Sequence, residues 1–83
     1  MEATITKDQI QERMTEALVS FGAERDAIGR DAGWEQLDVD SLDLVELAQI
    51  VEEEYRVQMR EEDLKGIETV GQAIDFVAER AVS

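Results

Sequence analysis

Residues 40–55 read DSLDLVELAQIVEEEY, and this stretch decides most of the fold. Its apolar residues recur on one side of a helix: Leu44, Leu47, Ala48, Val51 and Tyr55. A stripe at i, i+3, i+4, i+7 and i+11 predicts an amphipathic helix with one buried face. Asp40 and Asp43 have the spacing of a helix N-cap and its reciprocal partner. We therefore predict a helix from Ser41 to about Arg56, with Ser41 in its first turn.

A first helix is predicted over residues 7–21. Its apolar residues recur at helical period: Ile10, Met14, Ala17, Leu18 and Phe21. Thr6 and Gln9 have the spacing of a capping box, and Ile5 with Ile10 has that of a hydrophobic staple. A glycine follows the last apolar residue, where helices commonly end.

A last helix is predicted over residues 70–81, with one apolar side: Val70, Ala73, Ile74, Val77, Ala78 and Ala81. Thr69 and Gln72 repeat the capping-box spacing. Residues 60–65 leave room for one or two helical turns before Gly66. No segment shows the alternation of a strand. The chain is therefore predicted to be all-α, a small four-helix bundle with three longer helices and one short helix.

The long first loop, residues 22–40, needs apolar anchors to stay ordered. The candidates are Ala27, Ile28, Trp34, Leu37 and Val39. Trp34 is the only tryptophan. We expect it to anchor the core, because nothing nearby supports the alternative of stacking on a ligand. The length of 83 residues suits one domain, so we expect residues 1–83 to fold as a single unit.

The charge of the chain limits its partners. Eight Lys and Arg stand against twenty-one Asp and Glu, which gives a formal net charge of −13. Such a charge argues against binding to nucleic acid or to an anionic membrane. Residues 31–55 contain nine acids and no Lys or Arg. This acidic zone is either an ordinary solvated surface or a docking face for basic partners, and both interpretations stay open here.

No targeting, membrane-spanning or metal-binding signal is visible. The N-terminus lacks the basic start and apolar stretch of a secretory signal, no apolar run could span a membrane, and there is no Cys. We therefore expect a cytoplasmic protein, and the high negative charge of a small bundle favours a monomer. Asp38 and Asp40 resemble the opening of an EF-hand loop, but Leu42, Asp43 and Gln49 stand at three of its defining positions. We expect no dedicated metal site.

Ser41 is the candidate functional residue, although the chain offers no base to activate it. There is no His or Cys, and the only lysines, Lys7 and Lys65, are distant in sequence. A serine nucleophile normally needs a base held beside it. Acid pairs suited to a hydrolase are abundant, but no cleft for them can be inferred. We therefore expect a carrier whose serine is modified by another protein, and not an enzyme; the alternative is an ordinary first-turn serine.

A second candidate feature is the face of the second helix opposite its apolar stripe. Leu42, Val45 and Gln49 lie there among acidic residues: Asp43, Glu46, Glu52 and Glu53. An apolar centre with a charged rim is typical of a small docking surface. The alternative is that Leu42 and Val45 merely widen the core stripe, and for Val45 the sequence does not separate the two.

The motif around Ser41 resembles that of the acyl carrier protein family around its modified serine. The matching stretches are DSLDLVEL (40–47), EEEY (52–55), WEQL (34–37), IETV (67–70) and AIDFV (73–77). The resemblance implies a four-helix bundle in which Ser41 carries covalent 4′-phosphopantetheine, installed from coenzyme A by a phosphopantetheinyl transferase. The thiol of that group holds acyl chains as thioesters for acyltransferases, ketosynthases and other acyl-processing enzymes with basic docking patches.

The resemblance also implies a set of partner-docking residues: Asp40, Leu42, Asp43, Val45, Glu46, Gln49, Glu52 and Glu53. We expect a carrier for fatty-acid-type synthesis. A carrier for a polyketide or another specialised acyl pathway stays open, as does an unmodified acidic helical adaptor. Several departures from the family pattern concern cargo and pathway. Asp38 replaces a common glycine and predicts a stiffer loop, Leu44 stands where a smaller or polar residue is common, and Arg60 interrupts the acidic stretch.

Overall fold

The computed structural model describes residues 6–81, which form four α-helices. These are α1 (Lys7–Ser20), α2 (Ser41–Tyr55), α3 (Glu61–Gly66) and α4 (Val70–Ala81), with a short 3₁₀ turn at Arg25–Ala27. The all-α four-helix prediction is confirmed: α4 has its predicted bounds, and α1 and α2 end one residue early. In the described range the only β-type pairing is an isolated bridge between Gly33 and Thr69. None of the helices in this range has the length and apolar character needed to cross a membrane.

The core is built by the three longer helices. α1 packs mainly against α4, and α2 contacts both. The largest fully buried side chains come from all three helices: Ile10, Met14, Leu18, Leu47, Val51, Val70, Ile74 and Val77. Burial of one such side chain stabilises the fold by about 1.5–3 kcal/mol. α3 has no buried residue, and only its Asp63 and Leu64 are half-buried. Ile5, the predicted staple partner of Ile10, lies outside the described residues.

The predicted capping boxes form at both ends of the chain, one fully and one in part. In α1, the N–H of Gln9 donates to Oγ1 of Thr6, and the N–H of Thr6 donates to Oε1 of Gln9, both at 3.2 Å. In α4, the N–H of Gln72 donates to Oγ1 of Thr69 at 3.2 Å. The Gln72 side chain, however, accepts from the N–H of Glu68 at 2.6 Å and not from Thr69. The N-terminus of each of these two helices still gains the N-cap hydrogen bond that the spacing predicts.

Trp34 ties the long first loop to the connection between α3 and α4. Its indole N–H donates to the carbonyl of Ile67 at 2.8 Å, and its backbone N–H donates to the carbonyl of Glu68 at 3.3 Å. The Trp34 side chain is buried, which confirms its predicted role as a core anchor. Leu37 and Val39 are buried in the same core, also as predicted.

The remaining loop anchors differ from the prediction. Ala27 is exposed, so its prediction as an anchor is wrong, while Ile28 is half-buried against the core. Ala23 and Ala32 are buried instead. The physical reason is that an irregular loop has no fixed period, so its sequence does not indicate which alanine faces inward.

Gly71 allows the loop to lie directly against α4. Its N–H donates to the carbonyl oxygen of Arg30 at 2.8 Å, and a Cβ added at Gly71 would also lie 2.8 Å from that oxygen. One turn further along α4, Asp75 pairs with Arg30 and with Lys7 of α1, each at 3.0 Å. Hydrogen bonds from Arg30 and then Lys7 hold the pKa of Asp75 below its ordinary value. The loop is therefore fastened to the bundle before the chain enters α2.

Candidate functional site

Ser41 is the first residue of α2, and the aspartates on either side of it define the helix start. The N–H of Asp43 donates to Oδ1 of Asp40 at 3.0 Å, and the N–H of Asp40 donates to Oδ2 of Asp43 at 3.5 Å. The capping box predicted from the spacing of these aspartates is confirmed. It places Ser41 in the first turn with its side chain exposed.

The segment before Ser41 is held by buried side chains on both sides of an exposed aspartate. Leu37 and Val39 are buried, and the N–H of Val39 donates to the carbonyl of Trp34 at 3.0 Å. Between them, Asp38 has a φ of 56°, in the left-handed region. Aspartate tolerates this conformation better than most residues, and glycine adopts it more freely still. Residue type at position 38 therefore controls backbone freedom just before Ser41.

The start of α2 offers hydrogen-bond donors but no His or Cys, and the carboxylates that flank Ser41 in sequence, those of Asp40 and Asp43, are engaged in the capping box. Backbone N–H groups in a first turn have no carbonyl partner within the helix, and the helix dipole favours negative charge there. Lys7 begins α1 and pairs with Asp75 at 3.0 Å, and Lys65 belongs to α3. The chain contains no His or Cys. Ser41 is thus an exposed hydroxyl that another protein can reach, without the partners of a serine nucleophile.

The candidate docking residues lie along the exposed side of α2. Leu42 is 74% exposed and Val45 is 47% exposed, so the alternative in which they widen the core stripe is wrong. The remaining candidates are exposed, apart from half-buried Asp43: Asp40, Asp43, Glu46, Gln49, Glu52 and Glu53. Positions 42, 45, 46, 49, 52 and 53 follow the i, i+3, i+4 spacing of one helix face. The structure thus brings the candidate residues together on a single surface.

A groove between α2 and α3 adjoins this face. It has a volume of about 330 Å³ and is lined by Val45, Ala48, Gln49, Glu52, Met59, Glu61 and Leu64. Its apolar lining comes from both helices and from Met59 in the connection between them, and Glu52 and Glu61 also line it. The sequence did not reveal this groove, because its shape depends on how α3 is placed against α2.

A larger concavity lies towards the C-terminal end of α2. It has a volume of about 990 Å³ and is lined by residues from the end of α2, the connection to α3, and Arg80 of α4. Ser41 is not among its lining residues. A helical rise of 1.5 Å per residue separates Ser41 from Gln49, the first lining residue along α2, by about 12 Å. This concavity is therefore distinct from the serine site.

The clear pKa shifts also lie away from Ser41. Arg13 of α1 donates to Glu54 of α2 at 3.1 Å, and this hydrogen bond raises the pKa of Arg13. Burial raises the pKa of the neighbouring Tyr55. No cluster of three or more potential metal-ligating side chains occurs in the part of the chain that the structure describes. These features belong to helix packing.

A helical bundle that presents an exposed serine at the start of an acidic helix has the features of a carrier protein. Comparison with known proteins makes this specific: a family model described as "Phosphopantetheine attachment site" matches residues 12–77. The protein named Acyl carrier protein from Chlorobium phaeobacteroides is 38% identical over 78 residues, covering 92% of this chain and 100% of the relative. The Acyl carrier protein of Petrotoga mobilis is 35% identical over 78 residues, covering 92% of each chain.

The chain therefore belongs to the acyl carrier protein family, whose prosthetic group is 4′-phosphopantetheine. Its role is that of an acyl carrier and not of an enzyme, and proteins of this family work with acyl-processing enzymes. The resemblance noted in the sequence is confirmed at the level of family, fold and prosthetic group.

Proposed function

We propose that Ser41 is the residue to which 4′-phosphopantetheine is attached. The family match contains two serines, Ser20 and Ser41. The hydroxyl of Ser20 donates to the carbonyl of Ala17 at 2.6 Å, at the end of α1, where the helix dipole disfavours a phosphate. Ser41 is exposed at the start of α2, where the dipole favours one. This contrast between the two serines is the observation that carries the proposal.

The start of α2 fits a phosphate ester on Ser41. Its free backbone N–H groups and the helix dipole favour an attached phosphate by about 0.3–1 kcal/mol at an exposed site. The carboxylates of Asp40 and Asp43 oppose this effect, so we expect an arm that moves freely. When bound, the group supplies a terminal thiol that holds an acyl chain as a thioester. The chain contributes a hydroxyl fixed in position at a capped helix start, and no Cys that could compete for the acyl group.

Incubation with coenzyme A, magnesium and a phosphopantetheinyl transferase, followed by intact-protein mass spectrometry, tests this assignment. We expect one phosphopantetheine adduct on the wild type and on Ser20→Ala, and none on Ser41→Ala. Far-ultraviolet circular dichroism should show that Ser41→Ala remains folded. An adduct on Ser41→Ala, or no adduct on the wild type, would overturn the proposal.

We further propose that the exposed face of α2 docks the enzymes that use the carried acyl group. Leu42 and Val45 supply an apolar centre, and Glu46, Glu52 and Glu53 supply an acidic rim. Charge complementarity of this kind raises the association rate with basic partners. The groove between α2 and α3 adds an apolar recess beside the same face.

We propose that these partners belong to fatty-acid-type synthesis, with a phosphopantetheinyl transferase, an acyltransferase and a ketosynthase among them. The name Acyl carrier protein, shared by the relatives, supports the carrier role without naming the pathway. Acyl transfer to a fatty-acid-type and to a polyketide-type ketosynthase should be compared, and faster transfer to the polyketide type would reverse the pathway assignment.

A charge reversal on the exposed face of α2 tests the docking role. With the preferred ketosynthase, Glu46→Lys should slow association more than Glu12→Lys, an equal charge change on α1. Equal effects of the two variants would contradict the docking face.

A further inference from the structure

At the end of α2, the acidic docking face gives way to arginines. Arg56 and Arg60 are exposed, and both line the concavity of about 990 Å³ together with Arg80 of α4. Four carboxylates line the same concavity: Glu52, Glu53, Glu62 and Asp63. Because residues 31–55 contain no Lys or Arg, Arg56 is the first cationic side chain after a long acidic stretch. The surface is therefore acidic along α2, and just beyond the end of α2 it carries charges of both signs, with Arg56 and Arg60 standing beside carboxylates.

The backbone holds Arg56 and Arg60 in defined positions. Arg56 ends α2 in the left-handed conformation, with a φ of 60° and a ψ of 31°, and its N–H donates to the carbonyl of Glu52 at 2.9 Å. Arg60 precedes α3, and its N–H donates to Oδ2 of Asp63 at 3.0 Å. Neither guanidinium takes part in an ion pair among residues 6–81. Both charges are thus available to a partner.

Arg80 is engaged differently from the other two arginines. Its guanidinium lies 3.7 Å from the centre of the Phe76 ring, and its Nη1 lies 3.9 Å from Oε1 of Glu79. A cation stacked on an aromatic ring has a restricted position. Arg80 therefore forms a fixed wall of the concavity, and Arg56 and Arg60 supply its free positive charge.

The charge pattern selects one kind of occupant for this surface. A small free anion or a polyanion would meet four carboxylates inside the same concavity. Surface charges are screened over about 8–10 Å at moderate salt, so a partner responds to local charges and not to the net charge. A folded protein can place a carboxylate opposite the arginines and basic side chains opposite the acids around them.

We infer that the acyl-processing enzymes served by this carrier dock through a dipolar surface, with basic side chains facing Glu46 and Glu52 and a carboxylate facing Arg56 and Arg60. This inference rests on the proposed docking role of α2. A contact with charges of both signs fixes the direction of α2 on the enzyme, and with it the side from which Ser41 is presented. It also disfavours enzymes with uniformly basic docking surfaces, because like charges then face one another.

The test uses the holo-protein, with its adduct verified by mass, and whichever of the two ketosynthase types binds the wild type more tightly. We expect the double variant Arg56→Glu/Arg60→Glu to raise the Kd about tenfold, and Arg60→Glu alone to raise it about threefold. Arg25→Glu is the matched control for Arg60→Glu, since it makes the same single charge reversal at an exposed arginine outside the concavity. We expect it to change the Kd by less than about twofold.

The neutral variant Arg56→Asn/Arg60→Gln should weaken binding less than the double reversal, and Asn suits the left-handed backbone at position 56. It serves as the second measurement if the charge-reversed protein unfolds. Unchanged or tighter binding by either double variant overturns the inference and shows that the arginines only relieve repulsion among the acids. Loss of self-association with unchanged enzyme affinity overturns it in favour of a second copy of this chain. Absence of the adduct on the wild type overturns the proposed function, and this inference with it.

Discussion

The start of α2 and the packed contact between α1 and α4 differ in what holds them in place. At the contact, Ile10, Leu18 and Ile74 are fully buried, and their positions depend on residues distant in sequence. At the start of α2, Asp40 and Asp43 are joined by short-range hydrogen bonds, and Ser41 and Leu42 between them are exposed. Stability therefore resides mainly in the core, whereas the candidate attachment site is formed locally and left accessible to partners. Substitutions in the core and on the exposed side of α2 should therefore have different effects on the free energy of unfolding.

The sharpest separation should come from truncating a core residue and an exposed residue of the docking face. Ile74→Ala should lower the free energy of unfolding by about 2–5 kcal/mol, because it removes buried contacts and leaves a cavity. Leu42→Ala should change it by less than about 0.5 kcal/mol, since Leu42 is 74% exposed. Urea denaturation measures both. Similar losses for the two variants would show that the proposed division between core and docking face is wrong.

A smaller effect is expected where the loop lies against α4. Gly71→Ala should lower the free energy of unfolding by about 1–3 kcal/mol, because the new Cβ would lie 2.8 Å from the carbonyl oxygen of Arg30. Gly66→Ala is the matched control, since nothing lies within 4 Å of a Cβ at that position. It should be neutral or stabilising by up to about 1 kcal/mol. Equal behaviour of the two variants in thermal or urea denaturation would argue against the close loop contact.

Loss of the α2 cap should have a moderate cost. Asp40→Ala removes the side chain that accepts from the N–H of Asp43, and should lower the free energy of unfolding by about 1 kcal/mol. Asp40→Asn keeps an accepting oxygen and should recover most of this loss. Urea denaturation of the pair decides the matter: if Asp40→Asn is as unstable as Asp40→Ala, charge and not the cap stabilises this helix start.

The smallest expected effect is the pH dependence of stability that comes from Asp75. We call its ion pairs with Arg30 and Lys7 the Asp75 clamp. Its partners Arg30 and Lys7 lower the pKa of Asp75 in the folded protein, so the clamp stabilises the fold at neutral pH. That contribution is present above the ordinary pKa of 3.8 and is lost as the pH falls through the lower, folded-state value. The Tm of Asp75→Asn should therefore lie below that of the wild type at pH 7, and the gap should close in acid. A gap that persists unchanged in acid would contradict the clamp.

Much of the fold could be predicted because its signals are local. Capping boxes join residues three apart, as in Thr6 with Gln9 and Asp40 with Asp43, and helical periodicity needs only one segment. The position of Ser41 in the first turn of α2 followed from the same spacing. The sequence left Val45 undecided between core and surface, and its 47% exposure resolves that choice.

The rest depended on contacts between distant segments. The approach of Arg30 to Gly71 joins the first loop to α4, and no spacing rule connects these residues. The concavity with Arg56 and Arg60 likewise requires α2, α3 and α4 to be placed together. The prediction of Ala27 as an anchor failed because an irregular loop has no period from which its inward face can be inferred.

Peptide-level mass spectrometry of the transferase-treated wild type tests the central claim most directly, because fragmentation locates the added group on a particular residue. The account predicts that 4′-phosphopantetheine lies on Ser41 alone, with Ser20 unmodified. The group on Ser20 or on any other residue, with Ser41 unmodified, would contradict it.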